Sequence, residues 1–329
     1  MPSLGIDVGG ANLKVANSDG DFRIIHLPIW KRLGELEDTL RRIEEEFDPD
    51  IVGVVMTAEL SDVFESKRKG VLEVAGIVRR VFDPVFFDLN GNFRSYEEVE
   101  KNPEMFMASN WVASCEFLLK EGWRKFLFAD MGSTTTDLIP VTDGIEAGKT
   151  DYERLKRGEL LYFGVLRTPV FYILPQFDAP LSSEFFSISG DVFVVTGDIR
   201  PEDYICETPD GKGRDLESCM RRLARCVCAD LEEVGREYVS EMARAFKEEM
   251  LKRLEMGIRR LADRYDLKIV LGCGIGEFLL KVAAEMAGLE YVSLSEIYGE
   301  VANVFPAYAI ARLLHNRYIL STKPIFDDR

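Results

Sequence analysis

Lys125-Phe126-Leu127-Phe128-Ala129-Asp130-Met131-Gly132-Ser133-Thr134-Thr135-Thr136-Asp137-Leu138-Ile139-Pro140-Val141 is the stretch that decides the fold. An apolar run ends on a carboxylate, turns through glycine and a string of hydroxyls, and resumes as an apolar run. That pattern predicts a strand, a tight turn and a second strand. Gly132 admits φ > 0 and a close backbone approach, so successive N–H groups and hydroxyls can converge on one anion. Asp130 would repel a bare phosphate. At a strand end it suits a hydrated Mg²⁺ that bridges to phosphate oxygens. A polar hairpin turn reads the same way, so this stretch needs a second one beside it.

The second one is Leu4-Gly5-Ile6-Asp7-Val8-Gly9-Gly10-Ala11-Asn12-Leu13-Lys14-Val15-Ala16, with the same order of strand, aspartate, glycine turn and strand. A third glycine turn follows another apolar run, in Lys268-Ile269-Val270-Leu271-Gly272-Cys273-Gly274-Ile275-Gly276. Two Asp–Gly hairpins about 120 residues apart, then Gly-x-Gly-x-Gly, predict two related α/β halves facing a central cleft.

The 329 residues suffice for two domains with real cores. A net charge of -16 argues against nucleic acid or an anionic membrane as main partner. No apolar run approaches the roughly 20 residues that span a bilayer, and Met1-Pro2-Ser3 runs straight into a strand. The expected location is cytoplasmic. The six cysteines show no disulfide-framework spacing, and Cys219 and Cys226 read as buried small residues on one helix face. Only His26 and His315 are present, so acid–base chemistry is expected from carboxylates, lysines or bound metal.

Between the hairpins, Phe22–Pro28 reads as a strand and Leu33–Phe47 as a helix with Leu36, Leu40, Ile43 and Phe47 on one stripe. Ile51–Met56 has the continuous apolar character of a buried parallel strand. It runs into the polar loop Thr57-Ala58-Glu59-Leu60-Ser61-Asp62, at the end of the strand where open α/β sheets place ligands. Ser61 or Asp62 is the expected cap of a helix to Val81. Lys67-Arg68-Lys69 on that helix reads as a solvated face. Asn110–Lys120 is a helix whose start could serve an anion or hydroxyl. Gly158–Pro169 reads as a strand and loop delivering Arg167, as ion-pair anchor or as anion ligand. Helices are expected over Leu216–Ala229 and, unbroken, over Asp230–Tyr265.

The three turns in this order resemble the actin-like ATPase superfamily, which includes acetate and sugar kinases, heat-shock ATPases and actin. The opening Gly5-Ile6-Asp7-Val8-Gly9-Gly10 is similar to its hydantoinase/oxoprolinase branch. Seven blocks resemble the archaeal methanofuran-biosynthesis family, whose members are also called tetrahydromethanopterin-linked C1-transfer pathway proteins. They are Asp7–Lys14, Met56–Leu60, Ala108–Trp111, Asp130–Asp137, Gly164–Thr168, Arg221–Arg225 and Gly272–Gly276. Ser189-Gly190-Asp191-Val192 and Thr208-Pro209-Asp210-Gly211-Lys212 depart from the family pattern.

The resemblance implies two RNase H-like domains, the first spanning 1–122 plus the C-terminal helix 303–329 and the second spanning 123–302. It implies a transferase that condenses 5-(aminomethyl)-3-furanmethanol diphosphate with γ-glutamyltyramine, forming an aryl ether and releasing diphosphate. On this reading Asp7 and Asp130 hold Mg²⁺. Gly9, Gly10, Ala11 and Asn12 contact the diphosphate from one side, and Gly132, Ser133, Thr134 and Thr135 from the other. Lys14 or Arg167 supplies a cation, and Glu59 or Asp137 takes the phenol proton. Thr57, Asn110, Gly272, Gly274 and Gly276 line the substrate or nucleoside pocket. ATP is not expected to be required, the partners are small molecules, and a homo-oligomer is compatible with the sequence. The alternatives are an ATP-dependent kinase or amide hydrolase of the same superfamily and, third, a nucleotide-gated scaffold.

Overall fold

In the computed structural model, which describes residues 3–322, the first hairpin joins β1 (Ser3–Val8) to β2 (Asn12–Asn17), and β3 (Phe22–His26) follows. Then come α1 (Ile29–Arg32), α2 (Leu36–Phe47), β4 (Ile51–Met56), α3 (Lys67–Val81), β5 (Pro84–Phe87), β6 (Phe93–Arg94), α4 (Tyr96–Lys101) and α5 (Asn110–Lys120). The sheet order is β3-β2-β1-β4-β5-β6. β1, β2 and β3 are an antiparallel meander, β4 and β5 run parallel to β1, and β6 turns back.

The second hairpin joins β7 (Phe126–Met131) to β8 (Thr136–Val141). After it come α6 (Asp151–Arg157), β9 (Leu160–Leu161), α7 (Val170–Ile173), α8 (Ser189–Thr196), α9 (Leu216–Arg225) and α10 (Leu231–Tyr265). β10 (Ile269–Cys273), α11 (Glu277–Met286), β11 (Glu290–Ser293), α12 (Leu294–Tyr298) and α13 (Phe305–Thr322) complete the chain. The sheet order is β11-β10-β7-β8-β9. Again a three-stranded meander carries two parallel strands on the flank of its first strand. The repeat seen in two hairpins thus extends to two whole sheets of like connectivity.

Among the described residues, the first unit takes 3–124, 143–153 and 294–322, and the second takes Lys125–Thr142 and Arg154–Ser293. This division differs from the expected boundaries at 122 and 303. The segment Asp143–Glu153, which runs from just after β8 into the first turn of α6, belongs to the first unit, and so do the described residues from α12 onward. Apolar spacing marks elements, not which sheet an element packs on.

In the first unit, Leu4, Ile6, Val8, Leu13 and Val15 form one face of the sheet, packed with Leu36, Leu40 and Ile43 of α2 and Val71, Val74 and Val78 of α3. α13 covers the other face. It lies so close that a methyl group on Gly5 would sit 1.9 Å from the Ala307 carbonyl oxygen. Ser3 Oγ donates to the Ala311 carbonyl at 3.0 Å. In the second unit the core joins Leu127, Ala129 and Met131 of β7 with Met242, Phe246, Met250 and Leu254 of α10.

Several elements depart from expectation. Ser66, not Ser61 or Asp62, caps α3 by accepting from Lys69 N–H, and Ser61 instead closes a turn. Of Gly158–Pro169 only Leu160–Leu161 is strand. α9 ends at Arg225, and the long helix breaks at Gly235 (φ 83°, ψ 160°), where a residue without Cβ leaves the helical region cheaply.

Candidate active site

The first unit gathers Asp7, the glycine turn, Lys14, Thr57 and Glu59 at the ends of adjacent strands. Asp7 is buried near the end of β1, and its register partner on β2 is Lys14. Directly opposed residues in a sheet share a face, which puts the ammonium stem beside the carboxylate. Gly9 N–H donates to the Asn12 carbonyl at 3.1 Å and closes the turn. Thr57 N–H donates to Val8 O at 2.9 Å, bringing the loop after β4 alongside it. A methyl on Gly9 would lie 3.6 Å from Thr57 Oγ1, and one on Gly10 would lie 3.5 Å from Ser61 Oγ. Asn110 begins α5 at the end of β5, where Ser109 Oγ donates to the Phe87 carbonyl at 2.9 Å.

Glu59 is 2% exposed, and its Oε2 is buried with no hydrogen-bond partner among the described residues. Burial pushes its carboxyl up to about 7, helped by the negative charges of Asp151 and Asp7 and opposed by its own backbone and Lys67. A carboxyl held near neutrality can accept or give a proton at working pH. Its position depends on Gly70, whose missing side chain lets α3 approach; a methyl there would meet the Glu59 carbonyl oxygen at 2.7 Å. Asp151 and Gly70 were missed in the sequence. Asp151 arrives at the start of α6, far from Glu59 in sequence, and a lone helical glycine carries no local signal. Lys67 is only half-buried, while Arg68 and Lys69 pair with Glu104 and Glu65 at the surface.

The second unit gathers Asp130, the hydroxyl turn, Arg167 and two glycines of the third turn. Gly132 N–H donates to Thr135 O at 3.0 Å, as Gly9 does to Asn12. The loop 164–168 then clasps the turn. Val165 N–H reaches the Gly132 carbonyl, and Leu166 and Arg167 N–H reach the Ser133 carbonyl, each at 3.0 Å. Arg167 Nη1 donates to Thr134 Oγ1 at 3.3 Å, which places the guanidinium on the anion-type turn. Gly164 must be glycine, since a methyl would sit 2.5 Å from Gly132 O and 2.7 Å from Thr134 N. Thr168 Oγ1 accepts from Gly164 N–H at 2.9 Å, and Ser189 Oγ donates to Gly164 O at 3.0 Å; both hold the loop.

Gly274, at φ 88°, packs on Asp130, with its would-be methyl 2.5 Å from Oδ1. Gly276 N–H donates to Met131 O at 2.9 Å. Gly272 serves differently. It lies within β10, and the hydroxyl of Tyr291, a residue missed in the sequence, fills the space where a side chain would stand. Asp137 is the register partner of Asp130 and forms a buried ion pair with Arg154. A carboxylate held by a buried guanidinium is stabilised in its charged form and is a weak proton acceptor.

The blocks that depart from the family pattern form a brace. Asp191 Oδ1 accepts from Arg222 Nε (2.9 Å) and Nη2 (2.7 Å), both side chains being 0% exposed. Arg222 Nη1 also donates to Asp210 Oδ1 at 3.0 Å. Among the described residues no group of three or more His, Cys, Asp or Glu is arranged to hold a metal. No helix among them is long and apolar enough to cross a membrane.

With this geometry in hand, comparison with known proteins is specific. The hydantoinase/oxoprolinase family model matches residues 50–317. A (4-{4-[2-(gamma-L-glutamylamino)ethyl]phenoxymethyl}furan-2-yl)methanamine synthase of Methanocaldococcus jannaschii is 40% identical over 326 residues, covering 95% of this chain and 98% of that one. A synthase of the same name from Methanococcus vannielii is 34% identical over 212 residues, 61% of this chain and 96% of that one. The nucleotide-free structure of acetone carboxylase superposes with a TM-score of 0.56 at 11% identity, over 94% of this chain and 70% of that chain. That likeness shows the fold, an α/β fold of the actin-like ATPase class. The chain belongs to the hydantoinase/oxoprolinase family and, within it, to the family of (4-{4-[2-(gamma-L-glutamylamino)ethyl]phenoxymethyl}furan-2-yl)methanamine synthases.

Proposed function

We propose that this chain is a transferase that condenses a furan-methyl diphosphate with the phenol of γ-glutamyltyramine, releasing diphosphate. The observation that carries the reading is the nearly end-to-end match to synthases whose name describes a phenoxymethyl-furan, an aryl ether. Making that ether requires a new bond between the phenol oxygen and the exocyclic carbon. The bond that breaks joins this carbon to the diphosphate oxygen, which leaves with the electron pair. The furan oxygen spreads the positive charge that develops at the carbon.

The chain's task is therefore to hold the departing anion, take one proton and keep water away. We assign the Gly9–Asn12 and Gly132–Thr135 turns, with Lys14 and Arg167, to the diphosphate. Arg167 is already bonded to Thr134, so little ordering remains when the anion arrives. We assign the phenol proton to Glu59, whose carboxyl is poised near 7, in preference to Asp137, which Arg154 engages. Mg²⁺ is assigned to the carboxylates of Asp7 and Asp130, each of which would offer it a hard oxygen ligand. The metal would supply charge neutralisation to the leaving group. Thr57, Asn110 and the third glycine turn are left for the organic parts of the substrates, which suits small-molecule partners in the cytoplasm.

The family model and the acetone carboxylase fold favour one competing reading, in which ATP is the phosphate ligand and a kinase or amide hydrolase results. Incubation with the furan-methyl diphosphate, γ-glutamyltyramine and Mg²⁺, with and without ATP, decides between them. Ether and free diphosphate should accumulate together without ATP. ADP release with a phosphorylated product and no ether would establish the competitor.

A further inference from the structure

Strand pairing sets Asn12 opposite His26, and the two side chains meet, with His26 Nδ1 3.1 Å from Asn12 Oδ1. The amide oxygen can only accept, so Nδ1 is the protonated, donating nitrogen. Two backbone bonds tie the same segments together: Leu27 N–H donates to the Ala11 carbonyl at 3.1 Å, and Ile29 N–H to the Gly10 carbonyl at 2.8 Å. A trans peptide sets its N–H opposite its C=O. With the Gly10 and Ala11 carbonyls turned toward residues 27–29, the N–H groups of Ala11 and Asn12 point away from that segment. The Asn12 carboxamide, its oxygen held by His26, keeps both Nδ2 donors for another partner.

Period-two alternation puts Asn12 and Lys14 on one face of β2, and register puts His26 and Asp7 on that same face. Asn12 therefore stands between the imidazole and the charged pair proposed to meet the diphosphate and its metal. We propose that His26 is a positioning residue: with Leu27 and Ile29 it forms a strap that aims the Ala11 and Asn12 donors at the leaving diphosphate. The proposal rests on the synthase reading above. His26 touches no reacting atom; it acts through Asn12. A ring nitrogen suits this role because it offers one donor in a fixed plane, whereas a lysine in its place would itself bind the anion.

The test measures binding of inorganic diphosphate with Mg²⁺ by calorimetry, and ether formation at steady state. The proteins are wild type, His26→Phe, His26→Asn, Asn12→Ala and the double variant H26F/N12A. His26→Phe keeps a ring and removes the donor; His26→Asn returns an N–H close to the position of Nδ1. Loss of one such hydrogen bond predicts that H26F weakens diphosphate binding and lowers kcat/KM by about tenfold each, with H26N within about threefold of wild type. In the N12A background H26F should cost less than about twofold, because its route to the ligand is gone. Unchanged diphosphate binding in H26F, an equal loss in both backgrounds, or no recovery in H26N would overturn the proposal. Should H26F fail to fold, His26→Ala takes its place in the same cycle. The diphosphate titration reads the strap even if no ether forms, so failure of the synthase reading and failure of the strap are distinguishable.

Discussion

Glu59→Gln should make the protein more stable and nearly inactive. Glu59 is 2% exposed, with one oxygen unpartnered among the described residues, and burial pushes its carboxyl from an ordinary 4.5 up to about 7. As pH rises the unfolded chain sheds this proton first. The stability that Glu59 allows is therefore fully present below about pH 4.5 and is lost as pH climbs through about 7. Above about pH 8 the buried anion costs the folded state about 3 kcal/mol. Glutamine has nearly the same shape and no charge, so it removes that cost. E59Q should melt several degrees above wild type near pH 8.5 and match it near pH 4. The same change removes the proposed proton acceptor, which should lower turnover by about 10²–10⁴. In wild type, kcat/KM should rise with pH and level off above about 7. Melting curves at the two pH values, with ether formation followed in parallel, check both halves. E59Q melting below wild type at every pH would refute the burial argument; full turnover in E59Q would remove Glu59 from the mechanism.

Four other single substitutions have defined outcomes. Arg222→Met strands Asp191, 0% exposed, without its partner, and should cost about 3–5 kcal/mol in urea unfolding, much of it recovered by adding Asp191→Asn. Gly164→Ala drives a methyl to within 2.5 Å of the Gly132 carbonyl and must displace the hydroxyl turn; turnover should fall at least about tenfold, while circular dichroism shows the fold retained. Asp7→Asn and Asp130→Asn should each keep the fold but lose most Mg²⁺-dependent turnover, and full activity of either in excess chelator would rule out the metal role.

The parts of this molecule that sequence exposes are those with local signals. Each sheet's first hairpin was legible because strand, aspartate, glycine and strand lie within a dozen or so residues. The continuous apolar run of β4 likewise announced a parallel strand and the loop bearing Glu59. What stayed hidden is non-local. Nothing in Asp143–Glu153 says that it joins the first unit, so the charge of Asp151 beside Glu59 could not be foreseen. Arg154 is an ordinary helical arginine until the fold buries it against Asp137. His26 sits at the end of a strand that the sequence does show, but only the register of β2 with β3 brings it to Asn12. Gly235 was read through because the apolar stripe continues on both sides of it, although its φ breaks the helix.

In the proposed reaction the carbon–oxygen bond of the furan-methyl diphosphate breaks and the phenol oxygen becomes the ether oxygen. γ-Glutamyltyramine labelled with ¹⁸O in its phenol tests it in one reaction. Mass spectrometry should find the label wholly in the ether and none in the diphosphate, with the two products formed in equal amounts. Label appearing in a phosphate ester of the phenol, or in released phosphate, would mean that phosphorus rather than carbon is attacked, which contradicts the proposed reaction.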